Sequence, residues 1–439
     1  MAAEVVEQKE DQKGLRPRRW TGRLLVAVSF GVALLLLAIS ALIPLTVPTI
    51  ELMVLRIGAA ELSIWLMLLS AFGLSLSLAA LRIQRKGPRL VSVAAVVCSL
   101  ASFGLASIPL TQLRGAVTRA DGAMRDGLGD SYMLRLWPGA APMRSDPFSL
   151  GDYFTGIKEP QPGVRTTRDM PYRIVGGHTL LLDRYDPPAK GAKDPHPGLL
   201  VIHGGSWRNG DKGEYADASR YFAARGYVVY DIQYRLSAEA RFPAQLEDAE
   251  CALGYMRTHA SEVGLDPESV IVTGRSAGAH LALLAAYRAG IAPAPTGCGA
   301  MSGIKGVVAL YPPTDLVDDY LHPAEPDLIH SRQVLEDFLG GSPDAVPNQY
   351  RSATPQQWLN RPLPPTLLLH GESDQIVLPR NSTGLGSRLR EMGDKVVTIL
   401  IPWGGHGYDA VFSGLSSQLS LYYWDRFMGY ALGVSKVGP

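Results

Sequence analysis

Gly274-Arg275-Ser276-Ala277-Gly278 is the run in this chain best suited to covalent chemistry. It follows the apolar segment 269–273 and precedes a helix-like segment, 280–286. Glycines on both sides of a serine allow a tight turn that holds the hydroxyl out of the fold, at the start of a helix. A serine hydroxyl is a weak nucleophile and needs a base. His406, in Trp403-Gly404-Gly405-His406-Gly407-Tyr408, is the candidate. An imidazole base in turn needs an acid to fix its tautomer. Asp374, in His370-Gly371-Glu372-Ser373-Asp374, is placed to serve, with Glu372 as the alternative. Attack on a carbonyl also requires donors for the oxyanion. His203-Gly204-Gly205-Ser206-Trp207 offers the amides of Gly205 and Ser206, and Ala277 offers the one beside the nucleophile. Together these residues suit acyl transfer through a covalent acyl-enzyme. His203 is expected to fix the oxyanion loop, and His280, one turn beyond Ser276, to support the site.

Such residues must be delivered by a framework. From about residue 171 the pattern alternates between strands and helices. Short apolar runs at 179–185, 198–202, 227–233, 269–273, 304–310, 366–369 and 396–401 read as strands buried on both faces. Helical patterns occupy 215–224, 243–262, 276–289, 382–392 and 416–432. This alternation predicts an α/β fold with a mostly parallel sheet flanked by helices. Each candidate group falls just after a strand, where open α/β sheets gather their functional loops.

The first part of the chain differs. Segments 24–45, 62–81 and 90–113 carry no charge and are long enough to cross a bilayer as helices. A cleaved signal peptide would account for the first segment but not for the next two. Lys9, Lys13, Arg16, Arg18, Arg19 and Arg23 precede the first segment. Arg82, Arg85, Lys86 and Arg89 separate the second from the third, whereas the first loop holds only Arg56. The Lys/Arg bias predicts a cytoplasmic N-terminus and an extracytoplasmic remainder. The expected organisation is a membrane region over 1–113, an arm over 114–170 that packs partly on the next domain, and a catalytic domain over 171–439. The arm is rich in Gly, Pro, Asp and Arg, with aromatic residues such as Tyr132, Trp137, Phe148, Tyr153 and Phe154.

Composition narrows the options. Lys and Arg total 42 against 41 Asp and Glu, so charge makes no case for a nucleic-acid partner. Cys98, Cys251 and Cys298 have neither metal-site nor dithiol redox spacing, so no metal or cofactor is expected. In an exported domain Cys251 and Cys298 are available to pair.

Several runs resemble the hormone-sensitive-lipase-like esterases and their feruloyl-esterase-like relatives. These are Tyr234-Arg235-Leu236, Phe242-Pro243-Ala244, Glu247-Asp248-Ala249 and Tyr311-Pro312-Pro313-Thr314-Asp315-Leu316. The run 203–207 is similar to the H-G-G-x-W stretch of that group, which kynurenine formamidases share, with Ser206 where many lipase-like members have a third glycine. The resemblance covers roughly residues 171–430. It implies an α/β-hydrolase fold, here preceded by three transmembrane helices, and a cofactor-free serine carboxylesterase or lipase. The chain order Ser276, Asp374, His406 is the order of that fold. An arylformamidase-type amidase and a catalytically silent hydrolase fold used for binding are the alternatives. The insertion between 311 and 365 is expected to carry a lid, with short helices at 316–321 and 332–339. A membrane tether points to small-molecule or lipid esters as substrates. Nothing in the sequence bears on oligomeric state.

Overall fold

The computed structural model describes residues 2–83, 89–134, 143–159, 162–188, 195–301, 303–359 and 361–433, with side chains from Gly22 onward. Arg85, Lys86 and Trp137 lie outside these residues. The chain divides into two compact units, Met1–Leu113 and Arg114–Pro439.

The first unit contains α1 (Ala2–Ala41), α2 (Ile50–Glu61), α3 (Ser63–Ile83) and α4 (Leu90–Ala106). Gly22–Ala41, Ser63–Ile83 and the stretch Leu90–Leu128 are long and apolar enough to cross a membrane. The first helix ends at Ala41 rather than at 45, because Pro44 and Pro48 follow and cannot continue it. α2 was not expected. It occupies the loop between the first two spans and is capped by the Thr49 hydroxyl, which accepts from the Leu52 amide. Inside the unit, Ser102 Oγ lies 3.0 Å from Ser40 Oγ and 2.7 Å from Ser70 Oγ, linking α1, α3 and α4. Small hydroxyl side chains of this kind let apolar helices approach closely and satisfy one another.

The third apolar stretch breaks near Ser107, and α5 (Ile108–Leu128) begins there with Pro109 in its first turn, where a missing amide is harmless. Beyond residue 113 the arm was expected to pack partly on the next domain, with no helix assigned to it, and α5 runs on to Leu128. Ala116, Ala120, Met124 and Leu128 recur every four residues and are all buried. The hydroxyl of Tyr423 donates to Asp121 and to the Val117 carbonyl. Further along the arm, α6 (Leu150–Thr155) follows, and Arg144 pairs with Asp152 and with Gln418.

The second unit is built on eight strands. They are β1 (Arg165–Val175), β2 (His178–Asp186), β3 (His196–Ile202), β4 (Val228–Ile232), β5 (Leu265–Arg275), β6 (Ile304–Leu310), β7 (Thr366–Gly371) and β8 (Val396–Ile401). Their spatial order is β1-β2-β4-β3-β5-β6-β7-β8, antiparallel through β1–β2–β4 and parallel from β4 onward. The helices are α7 (Ala216–Ala223), α8 (Ala244–Thr258), α9 (Ala277–Arg288), α10 (Leu316–Leu321), α11 (Ser331–Leu339), α12 (Pro347–Ala353), α13 (Arg380–Glu391) and α14 (Leu415–Leu432). β1 was not anticipated. It is an edge strand whose side chains are largely exposed, so it lacks the apolar run that marks the central strands.

Alternation along the strands divides the core. Leu200, Ile202, Val272, Ala309 and Leu368 join one apolar cluster with α8 and α9, while the intervening residues face α7 and α14. There Phe222 packs on Trp424, and Asp425 accepts from Tyr221 and Arg225. The insertion is not a loose flap: Phe338 of α11 stacks on Trp207 at 4.1 Å, and its carbonyl accepts the Phe242 amide.

Cys251 and Cys298 form a disulfide that ties α8 to the loop before β6 across 47 residues. Closing a loop of that length stabilises a fold by about 4 kcal/mol in the chain-entropy model. The Cys298→Ser variant is therefore expected to unfold at lower denaturant with an m value equal to or above that of the wild type, because its unfolded chain is less constrained, as measured by equilibrium denaturation of the purified chain.

Candidate active site

Ser276 caps α9 with φ 52° and ψ −120°, a conformation that costs a non-glycine residue energy and recurs at functional sites. The strain therefore falls on the serine. The flanking glycines serve a different need, since each lies too near another backbone for a side chain. A Cβ on Gly278 would lie 2.2 Å from the carbonyl oxygens of Ile202 and His203, and one on Gly274 would lie 2.3 Å from the Gly278 carbonyl. The Ser276 amide donates to the Leu310 carbonyl at 2.9 Å, which pins the turn to the end of β6.

His406 comes from the loop after β8. Its Nε2 lies 3.0 Å from Ser276 Oγ and its Nδ1 lies 2.7 Å from Asp374 Oδ2. A carboxylate only accepts, so the proton sits on Nδ1 and Nε2 is free to accept from the serine. Asp374 is buried, and its other oxygen accepts the amides of Ile376 and Val377 at 2.8 and 3.0 Å. Burial alone would raise its pKa. The charge of His406 and hydrogen bonds from His370 and His406 outweigh burial and hold the carboxyl well below its ordinary range. Among the described residues no hydrogen bond joins Glu372 to His406; the Glu372 amide donates to the Ile401 carbonyl.

The loop 203–207 lies alongside. Gly204 packs against the nucleophile turn, where a Cβ would stand 3.0 Å from the Arg275 carbonyl oxygen and 3.5 Å from Ser276 Cβ. Gly205, Ser206 and Trp207 all have left-handed φ values, and the Gly205 carbonyl accepts the amides of Arg208 and Asn209. Among the described residues no hydrogen bond engages the amides of Gly205, Ser206 or Ala277. His203 is stacked on Tyr234 at 4.2 Å, with Nδ1 2.8 Å from the Gly204 carbonyl oxygen. The Tyr234 hydroxyl donates to the carbonyls of His203 and Gly204.

His280 makes its side-chain contacts elsewhere than at Ser276. It is buried against Trp207 and Phe338, and its Nε2 lies 2.6 Å from the Ala353 carbonyl oxygen, so it braces the insertion rather than the nucleophile. His370, not singled out from sequence, lies under Asp374, with Nε2 3.3 Å from Oδ2 and Nδ1 2.7 Å from Ser382 Oγ. Its only sequence signal is its place four residues before the aspartate. Among the described residues no cluster of His, Cys, Asp or Glu has the makings of a metal site.

Residues 182–389 match the BD-FAE family model. That stretch, a little under half of the chain, is a BD-FAE domain of the hormone-sensitive-lipase-like α/β-hydrolase kind. Esterase LipQ of Mycobacterium tuberculosis is 29% identical over 252 residues, covering 55% of this chain and 57% of LipQ. Esterase LipC of the same organism is 31% identical over 234 residues, covering 52% and 55%. A protein named probable isoprenylcysteine alpha-carbonyl methylesterase ICMEL1, from Arabidopsis thaliana, is 24% identical over 233 residues, covering 50% and 46%. The chain spans about half the length of the curated relatives it matches. Among solved structures, the thermophilic esterase Est2 of Thermogutta terrifontis superposes with a TM-score of 0.51 at 23% identity, covering 63% of this chain and 96% of Est2. That likeness shows the fold of the BD-FAE domain; the N-terminal unit lies outside the family match.

Burial holds His203 and His280 neutral, each with its pKa pushed down to about 4 despite hydrogen bonds that oppose the shift. In the unfolded chain both take up a proton near the ordinary histidine value, so folding is favoured above that pH and loses stability as pH falls toward 4. Each contributes on the order of 2–3 kcal/mol of acid sensitivity. The melting temperature of the BD-FAE domain is expected to fall between pH 6.5 and 4, and the His280→Gln variant to show a shallower fall over that window.

Proposed function

We propose that this protein is a membrane-anchored serine hydrolase that cleaves carboxylic esters. The carrying observation is the imidazole of His406, within hydrogen-bond reach of Ser276 Oγ through one nitrogen and of Asp374 through the other. The esterase relatives of the BD-FAE domain support the same reading. Ser276 is the nucleophile, His406 the general base and Asp374 the group that orients the base and stabilises the imidazolium.

In acylation, Ser276 Oγ attacks the ester carbonyl carbon while its proton passes to His406 Nε2. The carbonyl oxygen takes the negative charge and is held by the amides of Gly205, Ser206 and Ala277. Collapse breaks the bond to the alcohol oxygen, which leaves with the proton from His406. Water then attacks the acyl-enzyme by the same route and releases the acid. No other reactant is needed.

Three apolar helices able to cross a membrane support the anchor. The Lys/Arg bias and the Cys251–Cys298 disulfide support an extracytoplasmic site, since such bonds persist in oxidising compartments. This setting favours lipophilic esters, the class also suggested by the name of the Arabidopsis relative.

A fluorophosphonate probe is expected to label the wild-type chain at Ser276 and to leave Ser276→Ala unlabelled; equal labelling of the two would overturn the reading. Ser276→Ala is expected to lower kcat/KM for a p-nitrophenyl ester by at least about 10³-fold, and Asp374→Asn by a comparable factor through the wrong imidazole tautomer. A C-terminal reporter active only in the cytoplasm should be silent; activity would reverse the orientation.

A further inference from the structure

Groups from the carboxyl ends of four strands gather around one buried carboxylate that the chemistry above does not use. Asp409 sits three residues beyond His406 in the short helical turn Tyr408–Ala410. Its Oδ2 accepts from Nε of Arg275, the residue immediately before Ser276. Its Oδ1 accepts from the hydroxyl of Tyr311, the first residue after β6. The ring of Tyr311 lies against the His406 imidazole, with centroids 4.6 Å apart. On its other side the Arg275 guanidinium covers the face of Tyr215, from the loop that leads into α7, at 3.6 Å. Arg275 and Tyr311 are almost fully buried, at 2% and 1% exposure, and Asp409 is buried at 8%.

We propose that Asp409 is a positioning residue for the Ser276–His406 pair, acting on the nucleophile through Arg275 and on the base through Tyr311. The inference rests on the esterase reading. A buried guanidinium is retained only where it is paired and hydrogen-bonded, so the Asp409 carboxylate fixes where Arg275 can lie. Arg275 adjoins the strained serine by one peptide unit, and any shift of the guanidinium is carried into the turn. Tyr311 has a left-handed φ of 42°, and its amide donates to the Leu369 carbonyl at 2.7 Å. A bulky residue keeps that conformation only where its surroundings over-determine it, and such strain gathers at functional sites. Here the strain holds a phenol ring against the imidazole while its hydroxyl is tied to the same carboxylate that holds the nucleophile side. The separation of Ser276 and His406 is thereby set by one group rather than by two independently mobile loops. Misplacing reacting groups by about 1 Å can cost on the order of 10² in rate.

The charges around this group define a specific readout. Asp374 and Tyr311 face His406, while Glu214 and Asp231 join Asp409 and Tyr215 around Arg275. Replacing Asp409 by asparagine removes a negative charge one tyrosine ring away from the imidazole and leaves Arg275 without that partner, which disfavours the imidazolium. The acid limb of the pH–rate profile then moves to lower pH, a change that loosened packing would not produce.

The test uses the full chain in detergent micelles with a p-nitrophenyl ester. Tyr311→Phe keeps the ring and removes the hydroxyl; kcat is expected to fall about tenfold with KM within about threefold of wild type. Asp409→Asn is expected to lower kcat by about 10²-fold and to shift the acid limb downward. The double variant is expected to lose no more than Asp409→Asn alone, because both act through one group. Wild-type kcat in Tyr311→Phe, a loss confined to KM, or additive losses in the double variant would overturn the proposal. If Asp409→Asn does not fold, the kcat and KM of Tyr311→Phe decide the matter. An inactive wild type would overturn the esterase reading together with this role; an active wild type with unaffected variants overturns this role alone.

Discussion

The close approach of two backbones behind Ser276 constrains most of what surrounds it. β3 and β5 run side by side and parallel, with Ile202 opposite Gly274, so the chains leaving both strands emerge together. The elbow after β5 then turns directly over the carbonyls of Ile202 and His203, at a separation only Gly278 permits. With that contact made, the loop 203–207 has no room but against the nucleophile turn, and its left-handed residues follow from the need to bend away at once. A second close approach sits at the far side of the site. Gly371 and Gly404 press backbone to backbone, where a Cβ on Gly371 would lie 2.2 Å from the Gly404 carbonyl oxygen. This joins the loop bearing Asp374 to the loop bearing His406, so the carboxylate and the imidazole arrive as one piece. The parallel register of the sheet thus decides which loops meet, and missing side chains decide how closely.

Both faces of the sheet carry buried polar groups. On the α8–α9 face Asp248 meets Arg173 and Arg235, Glu250 meets Arg288, and His280 is kept neutral by burial. On the α7–α14 side ionisable groups are buried in linked sets. Lys212 lies 2.9 Å from Asp183, the Gly213 amide donates to Asp231 at 2.9 Å, and Arg225 meets Asp425. Burial pushes Asp231 up to about 7, against the pull of the Gly213 amide and the charges of Arg275 and Lys212. Such arrangements add little net stability compared with apolar packing, but losing one partner is costly, so they specify one geometry. Ser276 stands at the seam between these faces, partly exposed.

The central strands were legible because each is a short apolar run between turn signals; 304–310 and 396–401 coincide with β6 and β8. The residues of the site were legible because their glycine-rich surroundings are unusual after a strand. What escaped was of another kind. β1 is an edge strand with exposed polar side chains, and pairing rather than burial makes it a strand. α5 was hidden by glycines, arginines and aspartates, although its buried alanines and Met124 keep a helical period. His280 was expected to support the site on helical spacing, whereas its side chain is hydrogen-bonded to Ala353 at the end of α12.

Local residue types by themselves determined the alternation of strand and helix, the three apolar helices, the glycines around Ser276 and the chain order of serine, aspartate and histidine. These depend on interactions between neighbours in sequence, such as periodicity, chain stiffness and the absence of a Cβ. Only the tertiary structure decided that His406 reaches Ser276 across 130 residues, that His370 sits beneath Asp374, that Cys251 meets Cys298, and that Asp409 joins Arg275 to Tyr311. Each of these contacts joins groups carried by different strands or loops. Their distances are set by sheet register and by which side chains a buried charge can find, neither of which is written in any single segment.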